Sequence, residues 1–170
     1  MWVTLSQEEF DPQRGYRFTL EIKNDHGAVI ARSRENWLPP APELIQYCQH
    51  CRESSHKLHH RQNRLRLEKF DDGEAENPIP PPPDYEMLQR LRESHAQAIE
   101  QRNDLMNNWL NSKMFNKVKQ AILDRSMEQD EIVVLIRIDR GELQRLPWAA
   151  WDLAQRRPEL EFALLPLENE

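Results

Sequence analysis

The residues best equipped for chemistry are Cys48-Gln49-His50-Cys51, with His56, His59 and His60 close behind. C-x2-C is the knuckle spacing of zinc sites, and imidazoles commonly complete the ligand set. Placement on a helix argues against that use. Cys48 and Cys51 share an apolar stripe with Leu44 and Leu58, while His56 and His60 fall on the opposite face. Ligands on opposite faces of one helix cannot converge on a single tetrahedral ion. No second C-x2-C follows. A cysteine nucleophile needs a polar, partly exposed niche beside an imidazole, and a helix–helix seam is the reverse. Cys48 and Cys51 are therefore expected to be core residues without metal or catalytic role. A structural zinc and stray surface binding of a metal by His56 and His60 are the alternatives.

The second group is Leu146-Pro147-Trp148 with Trp151. Two tryptophans at i, i+3 point to one side of a short helix, and each can bury ~150–250 Å². They read as core anchors against Trp109, Leu105 and the Met114–Leu123 face; a ligand or partner groove is the other reading. A third feature is local basicity. Residues 42–69 hold six Lys/Arg against three Asp/Glu, plus four His. Nucleic-acid binding is disfavoured, because the basic side chains are not interleaved with aromatics and the whole chain is acidic, at −6.

Composition narrows the classes further. Four Gly rule out a Gly-rich phosphate loop, and there is no H-E-x-x-H. No cofactor and no intrinsic peptidase, nuclease or nucleotidase activity are expected. No apolar run approaches the ~18–20 residues of a membrane span, and the first residues lack a signal-peptide pattern. Two cysteines cannot build a disulfide framework, so a reducing, cytoplasmic setting is the expectation.

The elements that must carry these residues follow from periodicity. Val3 to Phe10 is a candidate strand. Tyr16, Phe18, Leu20 and Ile22 alternate with polar residues, Asn24-Asp25-His26-Gly27 is a turn, and residues 28–34 resume a strand. That is a β-hairpin. Residues 44–69 contain no Gly or Pro and carry a heptad-like stripe through Leu44, Cys48, Cys51, Ser55, Leu58, Gln62 and Leu65. Residues 71–83 form an acidic, Pro-rich loop. A second helix starts with Asp84 as N-cap and repeats the stripe from Leu88 to Trp109. Each helix is then ~26 residues, ~39 Å long, which predicts an antiparallel helical hairpin. Ser112 reads as the N-cap of a third helix. Ile132–Ile138 is nearly continuous apolar and β-branched, as in a strand buried on both faces. Leu160–Leu165 is similar, so residues 132–165 read as a parallel βαβ crossover.

These last residues carry a family resemblance. Asn107-Asn108-Trp109-Leu110-Asn111-Ser112, the strand after Asp130-Glu131, and RIDRGELQRLPWAAWDLAQRRPELEFALLP resemble the opening segment of the cyanobacterial-type CHAT (caspase-like, HetF-associated) proteins. Their pattern is strand, acidic turn, LPW helix and strand, which falls here on Ile132–Ile138, Asp139–Glu142, Leu143–Trp151 and Leu160–Leu165. GYRFTLEIKNDHGAVIARSRENWLPPAPEL resembles the hairpin and proline turn that open many of these chains. The resemblance covers about 16–70 and 85–166. The family commonly has Glu or His after LPW, where this chain has Ala149. The family's catalytic His and Cys lie downstream of such a segment, and neither Cys48, Cys51 nor any histidine here matches them.

The expected fold class is thus α+β: a β-hairpin region (1–40), a helical hairpin with a third helix (41–128), and a β-α-β start of a CHAT-like domain (129–170). The hairpins are expected to pack beside the first strands of a caspase-like sheet. The resemblance implies a non-catalytic regulatory or interaction module in bacterial signalling, cell death or defence. Its partner would be a protein or a downstream caspase-like domain, with Leu146, Pro147, Trp148, Trp151 and Trp109 as anchors. One rival is part of a cysteine peptidase whose His/Cys half is supplied elsewhere. Another is a helical metal- or nucleic-acid-binding protein.

Overall fold

Alternating side chains and tight turns build the first layer. In the computed structural model, which describes residues 1–67, 85–127 and 130–166, strand β1 (Trp2–Asp11) is followed by β2 (Gly15–Lys23) and β3 (Val29–Leu38). The turn between β1 and β2 is held by the Asp11 carboxylate, which accepts from the backbone N–H groups of Gln13 and Arg14 at 2.7 and 2.8 Å. It closes on Gly15 at φ +97°, where a Cβ would stand 2.0 Å from the Leu38 carbonyl oxygen, so only glycine fits. Asn24 Oδ1 holds the second turn by accepting from His26 and Ala28 N–H.

Two 26-residue helices follow, α1 (Pro42–Leu67) and α2 (Tyr85–Leu110). Next come α3 (Asn116–Leu123), β4 (Ile132–Ile138), α4 (Gly141–Gln144), a 3-10 turn at Trp148–Ala150, α5 (Leu153–Arg156) and β5 (Leu160–Pro166). The five strands form one mixed sheet in the order β3-β2-β1-β4-β5. β1 pairs antiparallel with β2 and parallel with β4, and β4 pairs parallel with β5. The fold class is α+β. β1 hydrogen-bonds to both the hairpin and the later strands and makes them one sheet.

The chain divides into two compact units, residues 1–45 with 103–170, and residues 46–102. In the first, Val3, Leu5, Phe18, Leu20, Ile22, Ile132, Val134 and Ile136 bury one face of the sheet. In the second, α1 and α2 run antiparallel. Tyr47 donates to Gln101 Oε1 at 3.0 Å, the Cys51 thiol points at the Ala98 carbonyl at 3.6 Å, and Ser55 Oγ lies 3.1 Å from His95 Nε2.

Three local expectations need correction, and two lie outside the described residues. Ser112 caps no helix: α3 starts four residues later, its N-cap is Phe115 without a side-chain bond, and Ser112 supplies its carbonyl to Phe115 and Asn116 N–H instead. The LPW segment is not one helix either. Proline at 147 interrupts it, leaving two four-residue helices and a 3-10 turn. The strand β4 is buried on one face only, since Val133 and Leu135 are half-buried. The 71–83 loop and the Asp84 cap lie outside the described residues.

Candidate functional site

The four anchors Leu146, Trp148, Trp151 and Trp109 are buried, at 4, 2, 0 and 7% exposure, and Pro147 is half-buried. They sit in the first unit, over the buried face of the sheet. Trp148 meets Trp109 with ring centroids 6.0 Å apart and Phe18 at 6.1 Å. Trp151 meets Phe115 of the segment leading into α3 at 5.8 Å and Phe162 of β5 at 6.4 Å. Phe18 closes the chain of rings against Phe115 at 5.8 Å. Tilted and edge-on rings at these distances add ~0.5–1.5 kcal/mol per pair beyond burial. The indole of Trp148 donates to the Leu143 carbonyl at 2.9 Å, and that of Trp109 to the Pro39 carbonyl at 2.7 Å. These two bonds tie the LPW turn to α4 and the end of α2 to the proline turn after β3. Trp151 Nε1 is buried without a partner among the described residues, so its burial is driven by apolar contact alone.

Beside the rings lies a polar cluster that periodicity did not single out. Lys119 of α3 is 4% exposed and pairs with Asp152 at 2.5 Å. Its ammonium also donates to Asn111 Oδ1 at 2.9 Å. Asn111 Nδ2 donates to Asn107 Oδ1 and to Asp152 Oδ1. The backbone N–H of Asp152 in turn donates to Asn107 Oδ1 at 3.0 Å. Burial raises the Asp152 carboxyl, but bonds from Lys119 and Asn111 outweigh it and hold it below its ordinary range. The cluster locks the end of α2, α3 and the turn after Trp151 together. A lysine between Val118 and Ile122 on an apolar face was the available signal. Asn107 and Asn111, one helical turn apart, were legible only as part of the family likeness.

Cys48 and Cys51 are 2 and 3% exposed and free. Burial pushes the Cys48 thiol above its ordinary value, which opposes thiolate chemistry. His50, His56 and His59 are exposed, and the His60 side chain lies outside the described residues. Among the described residues no group of three or more His, Cys, Asp or Glu is placed to hold a metal ion.

The second face of the sheet is divided. Over β2 and β3 it is charged and internally paired: Arg32 and Lys23 both bind Glu21, Arg17 binds Glu9, and Thr19 donates to Glu8. Glu8, Arg17, Thr19, Glu21 and Arg32 line an open polar groove. Over β1, β4 and β5 apolar side chains share it with Thr4, Ser6, Arg137 and Glu161. Trp2 is 47% and Leu165 37% exposed, with Val133, Leu135 and Ala163 half-buried between them.

No family model matches the chain, and no curated protein matches it.

Proposed function

We propose that the chain is a non-catalytic regulatory or interaction module of a CHAT-type, caspase-like protein. It would serve bacterial signalling, programmed death or defence by docking a protein partner or a caspase-like domain. One observation carries this reading. Strands β1, β4 and β5 pair in parallel, and the LPW segment makes the β4–β5 crossover. Parallel layers are ordinarily covered on both faces, yet here one face exposes Trp2 and Leu165. An apolar parallel face is the surface that a neighbouring α/β layer would cover.

The sequence likeness from Asn103 to Pro166 supports the same reading. The buried cysteines, one with a raised thiol pKa, support its non-catalytic half. Cytoplasmic localisation belongs to the proposal and rests on the free, buried thiols. No described helix is long and apolar enough to cross a membrane.

The test uses the purified chain alone on peptide substrates, then mixed with a caspase-like domain of a CHAT-type protein. The expected result is no hydrolysis by the chain and co-elution with the domain. Hydrolysis that disappears in Cys48→Ser or Cys51→Ser overturns the non-catalytic reading. Failure to co-elute at about 100 μM, weaker than useful docking affinities, overturns the docking reading.

A further inference from the structure

Both strands that flank β2 carry a bulge, and the two bulges lie on either side of the same stretch of β2. In β1 the register passes from Gln7 opposite Phe18 to Glu9 opposite Arg17, so Glu8 is an extra residue. In β3 it passes from Ser33 opposite Leu20 to Asn36 opposite Phe18, so Arg34 and Glu35 together oppose Thr19. Asn36, 2% exposed, holds this second bulge. Its Nδ2 donates to the Phe18 and Ser33 carbonyls, each at 3.1 Å, and its Oδ1 accepts from Ser33 Oγ at 3.0 Å. A bulge re-aims the side chains around it. Glu8 from one side, and Arg34 and Glu35 from the other, join Arg17 and Thr19 around the polar groove, whose volume is about 700 Å³. Small-molecule sites span ~300–1,000 Å³. The groove is lined by three Arg and three Glu, so its charges balance, but they are not all paired. Glu21 is taken by Lys23 and Arg32. Glu8 accepts from Thr19 Oγ1 at 3.0 Å and Glu35 from Trp37 Nε1 at 3.2 Å, through one carboxylate oxygen each. The Arg34 guanidinium is exposed and makes no hydrogen bond or ion pair among the described residues. Arg17 reaches Glu9 with Nη2 at 3.1 Å, and its Nε is buried without a partner among the described residues.

We propose that this groove binds a short peptide of about three residues with both termini free, lying across the strands. Glu8 takes its ammonium and Arg34 its carboxylate, with Thr19 and Arg17 between them as donors to the peptide carbonyls. Span selects the length. Strands β1 and β3 stand two strand spacings apart, about 9.6 Å, and an extended tripeptide reaches about 10 Å. A free amino acid is too short to meet both bulges. Charge selects the class. An open anion on one bulge and an open cation on the other, in a groove of no net charge, complement a zwitterion. A phosphate in the same place would meet three carboxylates. The inference concerns the antiparallel half of the sheet and stands apart from the proposed caspase-like partner.

Calorimetric titration of trialanine into the purified chain tests it. Saturable binding with a Kd of about 1 mM is expected, as for a weak ligand in an open site. Alanine, and trialanine acetylated and amidated at its ends, should bind at least about tenfold more weakly, and inorganic phosphate should not compete. Arg34→Gln and Glu8→Gln should each weaken trialanine binding by about tenfold, the worth of one charge-assisted hydrogen bond. Both side chains are exposed, so both variants should keep the urea midpoint of the parent. A parent chain that shows no saturation by about 20 mM trialanine overturns the proposal. So does alanine or blocked trialanine bound as tightly as the free tripeptide, or phosphate that competes. Undiminished affinity in a folded Arg34→Gln or Glu8→Gln chain overturns it as well.

Discussion

Trp148 shows how one side chain unites burial, ring contact and a directed bond. Its indole is 2% exposed, touches Trp109 and Phe18, and donates to the Leu143 carbonyl. Removing it loses apolar volume and one of the two bonds to that carbonyl, which also accepts from Leu146 N–H. Trp148→Ala and Trp151→Ala should each cost about 3–5 kcal/mol in urea unfolding, a large part of the ~5–15 kcal/mol available to a small domain. Wild-type unfolding midpoints in either variant would contradict the core role. Lys119 poses a different residue-scale question. Asp152→Asn leaves a buried ammonium without its counter-charge and should cost about 3–5 kcal/mol. Lys119→Met, which removes the buried charge itself, should cost less; an equal or larger loss in Lys119→Met contradicts the assigned roles. Tyr16 adds a pH signature. Burial first, and then the Glu142 carboxylate that accepts its hydroxyl at 3.1 Å, push its pKa up to about 12. A raised phenol pKa favours the neutral form in the folded state. Its stabilisation is complete below pH ~10 and lost as pH rises from ~10 toward ~12. Denaturation curves across that window should show a steeper alkaline loss in the parent than in Tyr16→Phe. Parallel curves would refute the assignment.

At the scale of elements, periodicity was informative wherever one face of an element is buried and the other wet. Tyr16, Phe18, Leu20 and Ile22 are all buried, as the alternation implied. Both 26-residue helices lie within two residues of the expected start and end of the α1 stripe and the end of the α2 stripe. The Cys48–Cys51 stripe faces α2 as a seam residue pair should. What periodicity could not convey was pairing. Nothing local says that β1, which reads weakly as QEEF toward its end, joins an antiparallel hairpin to a parallel pair. Nor could it show that Ser112 is passed over as a cap, because Phe115 is drawn into the ring cluster and sets where α3 begins. Of the Lys119 cluster only the lysine between Val118 and Ile122 was legible, since its other members come from separate segments. A prediction at this scale concerns the helix pair. Thiol modification of Cys48 and Cys51 at pH 8 should be slow in the folded chain and complete on unfolding, with a rate tracking the urea transition. Rapid labelling of the native chain would show that the seam is open and that the raised Cys48 thiol is misassigned.

For the molecule as a whole, the decisive division is between a closed face and an open one. The closed face holds the tryptophans, the lysine cluster and the LPW crossover, and its chemistry is packing. The open face is solvated and ion-paired where the sheet is antiparallel, and mixed apolar and polar where it is parallel. Docking of a caspase-like domain would use the half of the open face over the parallel strands. The central claim is that this half-face, and not a catalytic centre, is where the chain acts. The most direct measurement is a calorimetric titration of a CHAT-type caspase-like domain into the parent chain and into Leu135→Lys, with thermal unfolding of both. The account predicts unfolding within about 1 kcal/mol of the parent, as for most substitutions outside a packed core, together with at least a tenfold loss of binding. Undiminished binding by a folded Leu135→Lys chain would contradict it.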